Sequence, residues 1–237
     1  MIEMSAGERR NAAGEEHYKR MFDLATLFFF YLALLPLWAL VWSLVPLLIF
    51  LEDGGPVFYR QKRLGRHGRP FRIVKFRTMV VGAEDLGPPF TEADDRRVTR
   101  VGRFLRARHL DEAPQAWNIL RGEMSIVGPR PLLAWDYEHD DWGASEASRR
   151  LAVLPGITGL AQVRGRTWVT GRDKLRYDLL YIRRMGPWLD LKLIAMSLPI
   201  VLWGGGRRAE SGLPLAPPDA EGGDPAPERR VPSERAE

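Results

Sequence analysis

From Leu24 to Leu51 the chain runs for 28 residues without a charge, reading LATLFFFYLALLPLWALVWSLVPLLIFL. No other feature restricts the fold as strongly, because such a run exceeds the roughly 18–20 apolar residues that mark a membrane segment. A buried core helix is the competing reading, although few core helices stay apolar on every face for this long. A cleaved leader does not fit. The run starts too far into the chain, is too long, and has no small-residue cleavage site after it.

The flanks of the run are basic on both sides. Arg9, Arg10, Lys19 and Arg20 precede it, and Arg60, Lys62, Arg63, Arg66, Arg69 and Arg72 follow. Lys and Arg collect on the cytoplasmic side of a membrane, so neither end is a natural candidate for translocation. A re-entrant hairpin that enters and leaves by one face resolves that conflict, and a single spanning helix is the alternative left open. Pro36 divides the run into halves of about a dozen residues, each too short for a hydrocarbon core of about 30 Å. Pro46 offers a second, milder bend.

The averages conceal this segment. The 237 residues carry 35 Lys+Arg against 30 Asp+Glu, a net charge of +5, and the mean hydropathy of −0.24 is that of a soluble protein. There is no cysteine, which excludes disulfides, thiol catalysis and Cys-ligated metal. The four histidines His17, His67, His109 and His139 show no metal-site spacing. Residues 1–16 are polar and read as a flexible N-terminus. The six Gly and six Pro of residues 204–237 read as a disordered tail. The expected organisation is therefore 1–16 flexible, 17–51 membrane helix (re-entrant or spanning), 52–203 folded domain and 204–237 tail.

The positive charge is local. Between Arg60 and Arg108 stand fourteen Lys/Arg and five Asp/Glu. Such a cluster beside a membrane segment attracts anionic headgroups at about 1 kcal/mol per charge. A solvated basic surface, a nucleic-acid surface and a site for an anionic small molecule are the other readings. No nucleic-acid motif accompanies the cluster. Val57-Phe58-Tyr59 and Phe71–Phe76 have strand character, with turns at Gly54-Gly55-Pro56 and Arg66–Pro70. Val98, Val101, Phe104 and Leu105 recur at helical spacing with Arg100, Arg103 and Arg106 between them. This predicts a basic amphipathic helix.

After that helix comes LDEAPQAWNILRG, residues 110–122. Asp111 before an apolar-periodic segment, with Pro114 in its first turn, predicts a helix start with Asp111 as its cap. Glu112 puts a second carboxylate at the same point, and Arg103, Arg106 and Arg108 precede both. An ionised Asp can be a nucleophile toward phosphorus. One or two carboxylates with phosphate oxygens suit Mg²⁺. Farther on, Pro129 and Pro131 hold Arg130 in extended backbone, where its guanidinium can fork a phosphate. The loop at residues 155–163, PGITGLAQV, matches no phosphate-cradle motif.

Taken in order, these blocks resemble the bacterial sugar transferases, monotopic polyprenyl-phosphate phosphoglycosyl transferases, in a minimal form without the extra N-terminal regions of longer members. The matching blocks are KRMFD at 19–23, GPVFYRQKRLG at 55–65, FRIVKFRTM at 71–79, TRVG at 99–102, the dyad block from Leu110, VGPRP at 127–131, PGITGLAQVRGR at 155–166, DLLY at 178–181 and DLK at 190–192. The resemblance implies an α/β fold: a small, mostly helical catalytic domain with a short β-element, on an N-terminal re-entrant membrane helix at the cytoplasmic face of the bacterial inner membrane. It implies transfer of a sugar-1-phosphate from a UDP-sugar to polyprenyl (undecaprenyl) phosphate, starting a lipid-linked glycan. Carried over, Asp111 is the nucleophile that forms a covalent intermediate and releases UMP, and Glu112 binds Mg²⁺. Arg106 and Arg130 match arginines near the phosphates. Lys75, Arg77, Gln61, Arg63, Asp178 and Tyr181 match motif positions assigned to substrate or phosphate binding. Membrane lipids are expected partners and nucleic acid is not. Where the family often has Ser-Pro at the membrane bend, this chain has Leu35-Pro36. Serine can cap the broken backbone bond and leucine cannot, so Pro36 and the basic flanks carry the expected bend. The opposing hypothesis is a non-enzymatic, membrane-anchored basic module that binds anionic lipid or nucleic acid.

Overall fold

The computed structural model describes residues 6–87, 95–134, 144–164 and 171–203. The tail at 204–237 lies outside the described residues. Two helices hold the apolar run, α1 (Ala6–Ala33) and α2 (Leu35–Asp53), and the break falls at Leu34 with Pro36 at the start of α2. The missing proline N–H interrupts the helical ladder at this point. Tyr31 of α1 stacks on Trp38 of α2 at 4.6 Å between ring centroids, so aromatic packing bridges the break. Helix α1 reaches back to Ala6, through a stretch expected to be loose. That stretch, AGERRNAAGEEH, is rich in good helix formers.

The β-element is a hairpin. Strands β1 (Phe58–Leu64) and β2 (Pro70–Phe76) pair antiparallel, with Phe58 opposite Phe76 and Leu64 opposite Pro70. His67 and Gly68, both at positive φ, close the turn. Helix α3 (Arg100–Ala107) follows, capped by the Thr99 hydroxyl on Gly102 N. It crosses the chain so closely that a Cβ on Gly102 would sit 2.1 Å from the Thr78 carbonyl oxygen, which only glycine avoids. A 3₁₀ segment (Leu110–Gln115) and α4 (Ala116–Leu120) lead to β3 (Ser125–Val127). Then come α5 (Ala144–Arg150), β4 (Gly156–Thr158), α6 (Leu160–Arg164), α7 (Gly171–Arg184) and α8 (Pro187–Trp203). Strands β3 and β4 pair in parallel.

Both ends of the apolar run rest on the same folded body. At the start, Lys19 donates to Asp190 of α8 at 2.5 Å and to the Tyr181 hydroxyl at 2.9 Å. Arg20 donates to the Ile119 and Leu120 carbonyls at the end of α4, at 2.5 and 2.7 Å. Asp23, 1% exposed, accepts from Ser125 Oγ and Ile126 N of β3. At the far end, Glu52 accepts from the Arg100 and Val101 amides that open α3, and Asp53 pairs with Arg77. Between these points Val41, Val45 and Ile49 form one buried stripe at four-residue spacing, packed on Phe76 and Leu105. Phe28, Phe29, Phe30, Leu34, Leu35 and Leu37, around the break, are exposed.

Candidate active site

The dyad lies where α3, the 3₁₀ segment and the hairpin meet. Asp111 is not the cap of an α-helix as the sequence suggested. It lies inside the first 3₁₀ turn, and His109, at φ 54°, occupies the position before that turn. Pro114 has no N–H for an i−4 bond, which favours the tighter i+3 geometry seen in the Glu112 amide's bond to the His109 carbonyl. Behind it, Asn118, 1% exposed, welds α4 to β2. Its Oδ1 accepts from Val74 N at 3.0 Å, and its Nδ2 donates to Arg72 O at 2.8 Å and Glu123 Oε2 at 2.7 Å. That weld seats Lys75, the residue after Val74, against the dyad.

The two carboxylates have unlike environments. Glu112 Oε1 accepts from Lys75 Nζ at 2.7 Å and from Arg130 Nη2 at 3.1 Å. Burial alone would raise its pKa, but Arg130 and Lys75 outweigh burial and hold it down to about 2. Asp111 is 8% exposed and accepts no hydrogen bond among the described residues. Burial raises its pKa and the Glu112 charge adds to that, while Lys75, Arg106 and His109 oppose it without reversing it. The dyad is thus one locked carboxylate beside one held only by the field of its neighbours.

Three further expected residues, Arg106, Arg63 and Gln61, have partners of their own. Arg106 Nε donates to Thr78 Oγ1 at 2.7 Å, and its charge acts on Asp111. Arg63 donates to Gln61 Oε1 at 2.6 Å and to the Pro131 carbonyl at 3.2 Å, beside Arg130. Gln61 is thereby engaged within β1.

Three residues expected in substrate or phosphate binding are buried with protein partners. Arg77 is 7% exposed, ion-paired with Asp53 and packed under Gly55, where its guanidinium closes the exit of α2. Tyr181 is 1% exposed, and its hydroxyl is committed to Lys19, Asp190 and the Val127 carbonyl. Asp178 is 2% exposed and pairs with Arg150 Nε at 2.8 Å. Each is a buried packing or pairing residue because its partner comes from an element that sequence order does not reveal. Sequence reasoning missed Asn118, Thr78 and Arg150. Only Asn118 left a signal, as a lone amide among apolar residues in AWNIL.

Mg²⁺ has a modest donor set here. Among the described residues there is no group of three or more His, Cys, Asp or Glu side chains. Glu112 Oε2 and the Asp111 carboxylate remain outside the hydrogen bonds of the dyad. Those oxygens fit an ion held by one or two carboxylates together with substrate phosphates, and not a protein cage.

Comparison with known proteins places the chain in a family. The sequence profile of the bacterial sugar transferases matches residues 14–204. A UDP-glucose:undecaprenyl-phosphate glucose-1-phosphate transferase of Caulobacter vibrioides is 45% identical over 169 residues, 67% of this chain and 61% of that protein. A protein of the same name from Xanthomonas campestris pv. campestris is 43% identical over 178 residues, 72% of this chain and 36% of the relative. A UDP-N-acetylgalactosamine-undecaprenyl-phosphate N-acetylgalactosaminephosphotransferase of Aeromonas hydrophila is 37% identical over 177 residues, 73% of this chain and 42% of the relative. The chain therefore spans 36–61% of the length of these relatives. With a profile match from the foot of α1 to the end of α8, and the Asp111–Glu112 pair at the centre of the matched region, the chain belongs to the bacterial sugar transferase family.

Proposed function

We propose that the chain transfers a sugar-1-phosphate from a UDP-sugar to polyprenyl phosphate, with Asp111 as the nucleophile. The carrying observation is the asymmetry of the dyad: Asp111 has no hydrogen-bond partner among the described residues, while Glu112 is held by Lys75 and Arg130. A carboxylate tied up by cations is a poor nucleophile. One kept unpaired by burial retains its lone pairs for attack.

In the first step an Asp111 carboxylate oxygen attacks the β-phosphorus of the UDP-sugar. The bond from that phosphorus to the bridging oxygen breaks, and UMP leaves with the bridging oxygen. In the second step an oxygen of polyprenyl phosphate attacks the same phosphorus, and the Asp111 carboxylate is released. The product is a polyprenyl diphosphate sugar. Lys75, Arg106 and Arg130 stabilise the charge that develops on the phosphoryl oxygens, acting from fixed positions. Glu112 holds Lys75 and Arg130 in place. Glu112 and the substrate diphosphate would hold Mg²⁺, which would neutralise part of the substrate charge.

The apolar pair α1–α2 serves as a re-entrant membrane anchor at the cytoplasmic face. Helix α2 is long and apolar enough to cross a bilayer by length and composition. Against crossing stands the tethering of both ends to one body, at Lys19–Asp190 and at Asp53–Arg77. Two exposed clusters flank the foot of α1. Trp117, Leu120 and Arg121 sit on the α4 end that Arg20 holds, and Trp188, Leu191 and Lys192 on the helix that Lys19 holds. Tryptophans with adjacent cations suit the headgroup layer.

The test is UMP release from UDP-glucose, UDP-galactose and UDP-N-acetylgalactosamine, with Mg²⁺ and undecaprenyl phosphate. Wild type is expected to turn over at least one of them and Asp111→Asn none. Robust transfer by Asp111→Asn contradicts the nucleophile assignment, and equal turnover in EDTA contradicts the metal.

A further inference from the structure

Arg130 poses a physical problem. Its side chain is 52% exposed and touches Glu112 through Nη2 at 3.1 Å. A half-exposed arginine carries about 2 kcal/mol of rotamer entropy, so holding its guanidinium in one place requires an immobile root.

The backbone around it supplies that root. Four consecutive carbonyls each accept a hydrogen bond, and the four donors come from three elements. Pro129 O accepts from Gly156 N of β4 at 2.8 Å, and Arg130 O from Arg150 Nη2 of α5 at 2.8 Å. Pro131 O accepts from Arg63 Nη1 of β1 at 3.2 Å, and Leu132 O from Leu64 N of β1 at 2.9 Å. Pro129 and Pro131 fix φ near −65° on either side of Arg130. Upstream, Gly128 packs backbone to backbone on Gly156, where a Cβ on Gly156 would sit 2.1 Å from Gly128 N.

Two of these clamps are side chains, and both are arginines. Arg150, 5% exposed, also donates through Nε to Asp178 Oδ2 at 2.8 Å. The planar fork thus spans a carboxylate on α7 and a carbonyl on the Arg130 segment, which a lysine ammonium cannot reproduce. Asp178, expected at the substrate, stands one step behind the residue that anchors Arg130.

We propose that Arg150 is a positioning residue for the transfer reaction: by holding the Arg130 carbonyl it fixes the Arg130 guanidinium on Glu112 and toward the substrate diphosphate. Asp178 fixes Arg150 in turn, and Arg63 clamps the next carbonyl. The proposal rests on the reading of Asp111–Glu112 as the reaction centre.

A double-mutant cycle on the full chain in nanodiscs tests it. UMP release from UDP-glucose, UDP-galactose and UDP-N-acetylgalactosamine is measured for wild type, Arg130→Ala, Arg150→Lys and the double variant. Arg150→Lys keeps a cation for Asp178 but loses the second arm of the fork. It is expected to lower kcat/KM about tenfold when Arg130 is present, and less than about twofold when Arg130 is already Ala. Equal losses in both backgrounds mean that Arg150 only supports the fold, and overturn the proposal. Should Arg150→Lys not fold, Arg63→Lys decides. A loss of about threefold that vanishes with Arg130→Ala supports the clamp, and one that persists overturns it. A wild type that releases no UMP from any of the three donors overturns the reaction centre and the proposal together. Wild-type release with additive losses overturns the proposal alone.

Discussion

The foot of α1 and the dyad both bury carboxylates beside cations, and they are built to opposite ends. At the foot of α1, Asp190 is 0% exposed and Asp23 1%, and each has hydrogen-bond donors: Asp190 has Lys19 and Tyr181, Asp23 has Ser125 and Ile126. At the dyad Glu112 is held through Oε1 by Lys75 and Arg130, but Asp111 has no such partner among the described residues. A buried charge with all its partners holds elements together. A buried charge without them costs stability and stays available for chemistry. The first region joins helices remote in sequence, and the second keeps a reactive oxygen ready.

The largest expected effect separates the two. Asp111→Asn should abolish transfer, by at least about 10⁴-fold as for loss of other enzyme nucleophiles. It should also leave the fold intact. The raised pKa of Asp111 means that the folded state binds its proton more tightly than the unfolded chain does. Stability is therefore lost as pH rises from the ordinary Asp value through the folded one, and neutral Asn should raise the unfolding midpoint at neutral pH. A fall in midpoint as steep as that of an α1-foot variant would erase the contrast.

Asp190→Ala should do the reverse. It strands Lys19 and the Tyr181 hydroxyl, at a cost of about 3–5 kcal/mol, read as a lower thermal midpoint or faster proteolysis. The folded fraction should keep its kcat. Arg130→Ala comes next, with about a hundredfold loss of kcat/KM and a smaller fall in midpoint than Asp190→Ala, since its side chain is half exposed and Lys75 still pairs with Glu112.

The pH profile sharpens the contrast within the dyad. Glu112, held down to about 2, contributes stability that is present above the unfolded carboxylate value and lost as pH falls toward 2. Asp111 must be ionised to attack, so the acid limb of kcat/KM should lie above the ordinary Asp range. Lys75→Met, which removes the leading cation opposing that shift, should move the limb higher still. A limb that stays put would separate Asp111 from the reaction.

The smallest effect concerns the membrane seat. With no native cysteine, a single Cys at Leu120 or Leu191 carries one polarity-sensitive probe. Both should report the headgroup layer in phosphatidylglycerol vesicles, and a Cys at Phe29 should report the acyl region. Aqueous signals from all three would contradict the anchor.

Much of this was legible in the sequence because it is local. The 28-residue run and its break near Pro36, the hairpin strands, the basic helix and the adjacent carboxylates each occupy a short stretch with its own pattern. What was not legible is pairing at a distance. Lys19 meets Asp190 across 171 positions, and Arg150 meets Asp178 from another helix. Tyr181, Asp178 and Arg77 match motif positions assigned to substrate or phosphate binding, and motif positions carry no burial. The structure buries all three with protein partners. The 3₁₀ geometry at Asp111 was hidden for a related reason: an Asp-Glu pair before a proline suits either an α-helical cap or a tighter turn.

Intact-protein mass spectrometry tests the central claim most directly. Wild type and Asp111→Asn are incubated with Mg²⁺ and UDP-glucose, UDP-galactose or UDP-N-acetylgalactosamine, without polyprenyl phosphate, and quenched in acid. The account predicts a sugar-phosphate adduct on wild type, mapped to the peptide bearing Asp111, formed with one UMP per adduct and absent from Asp111→Asn. No adduct on wild type, with UMP appearing only once polyprenyl phosphate is added, would contradict it.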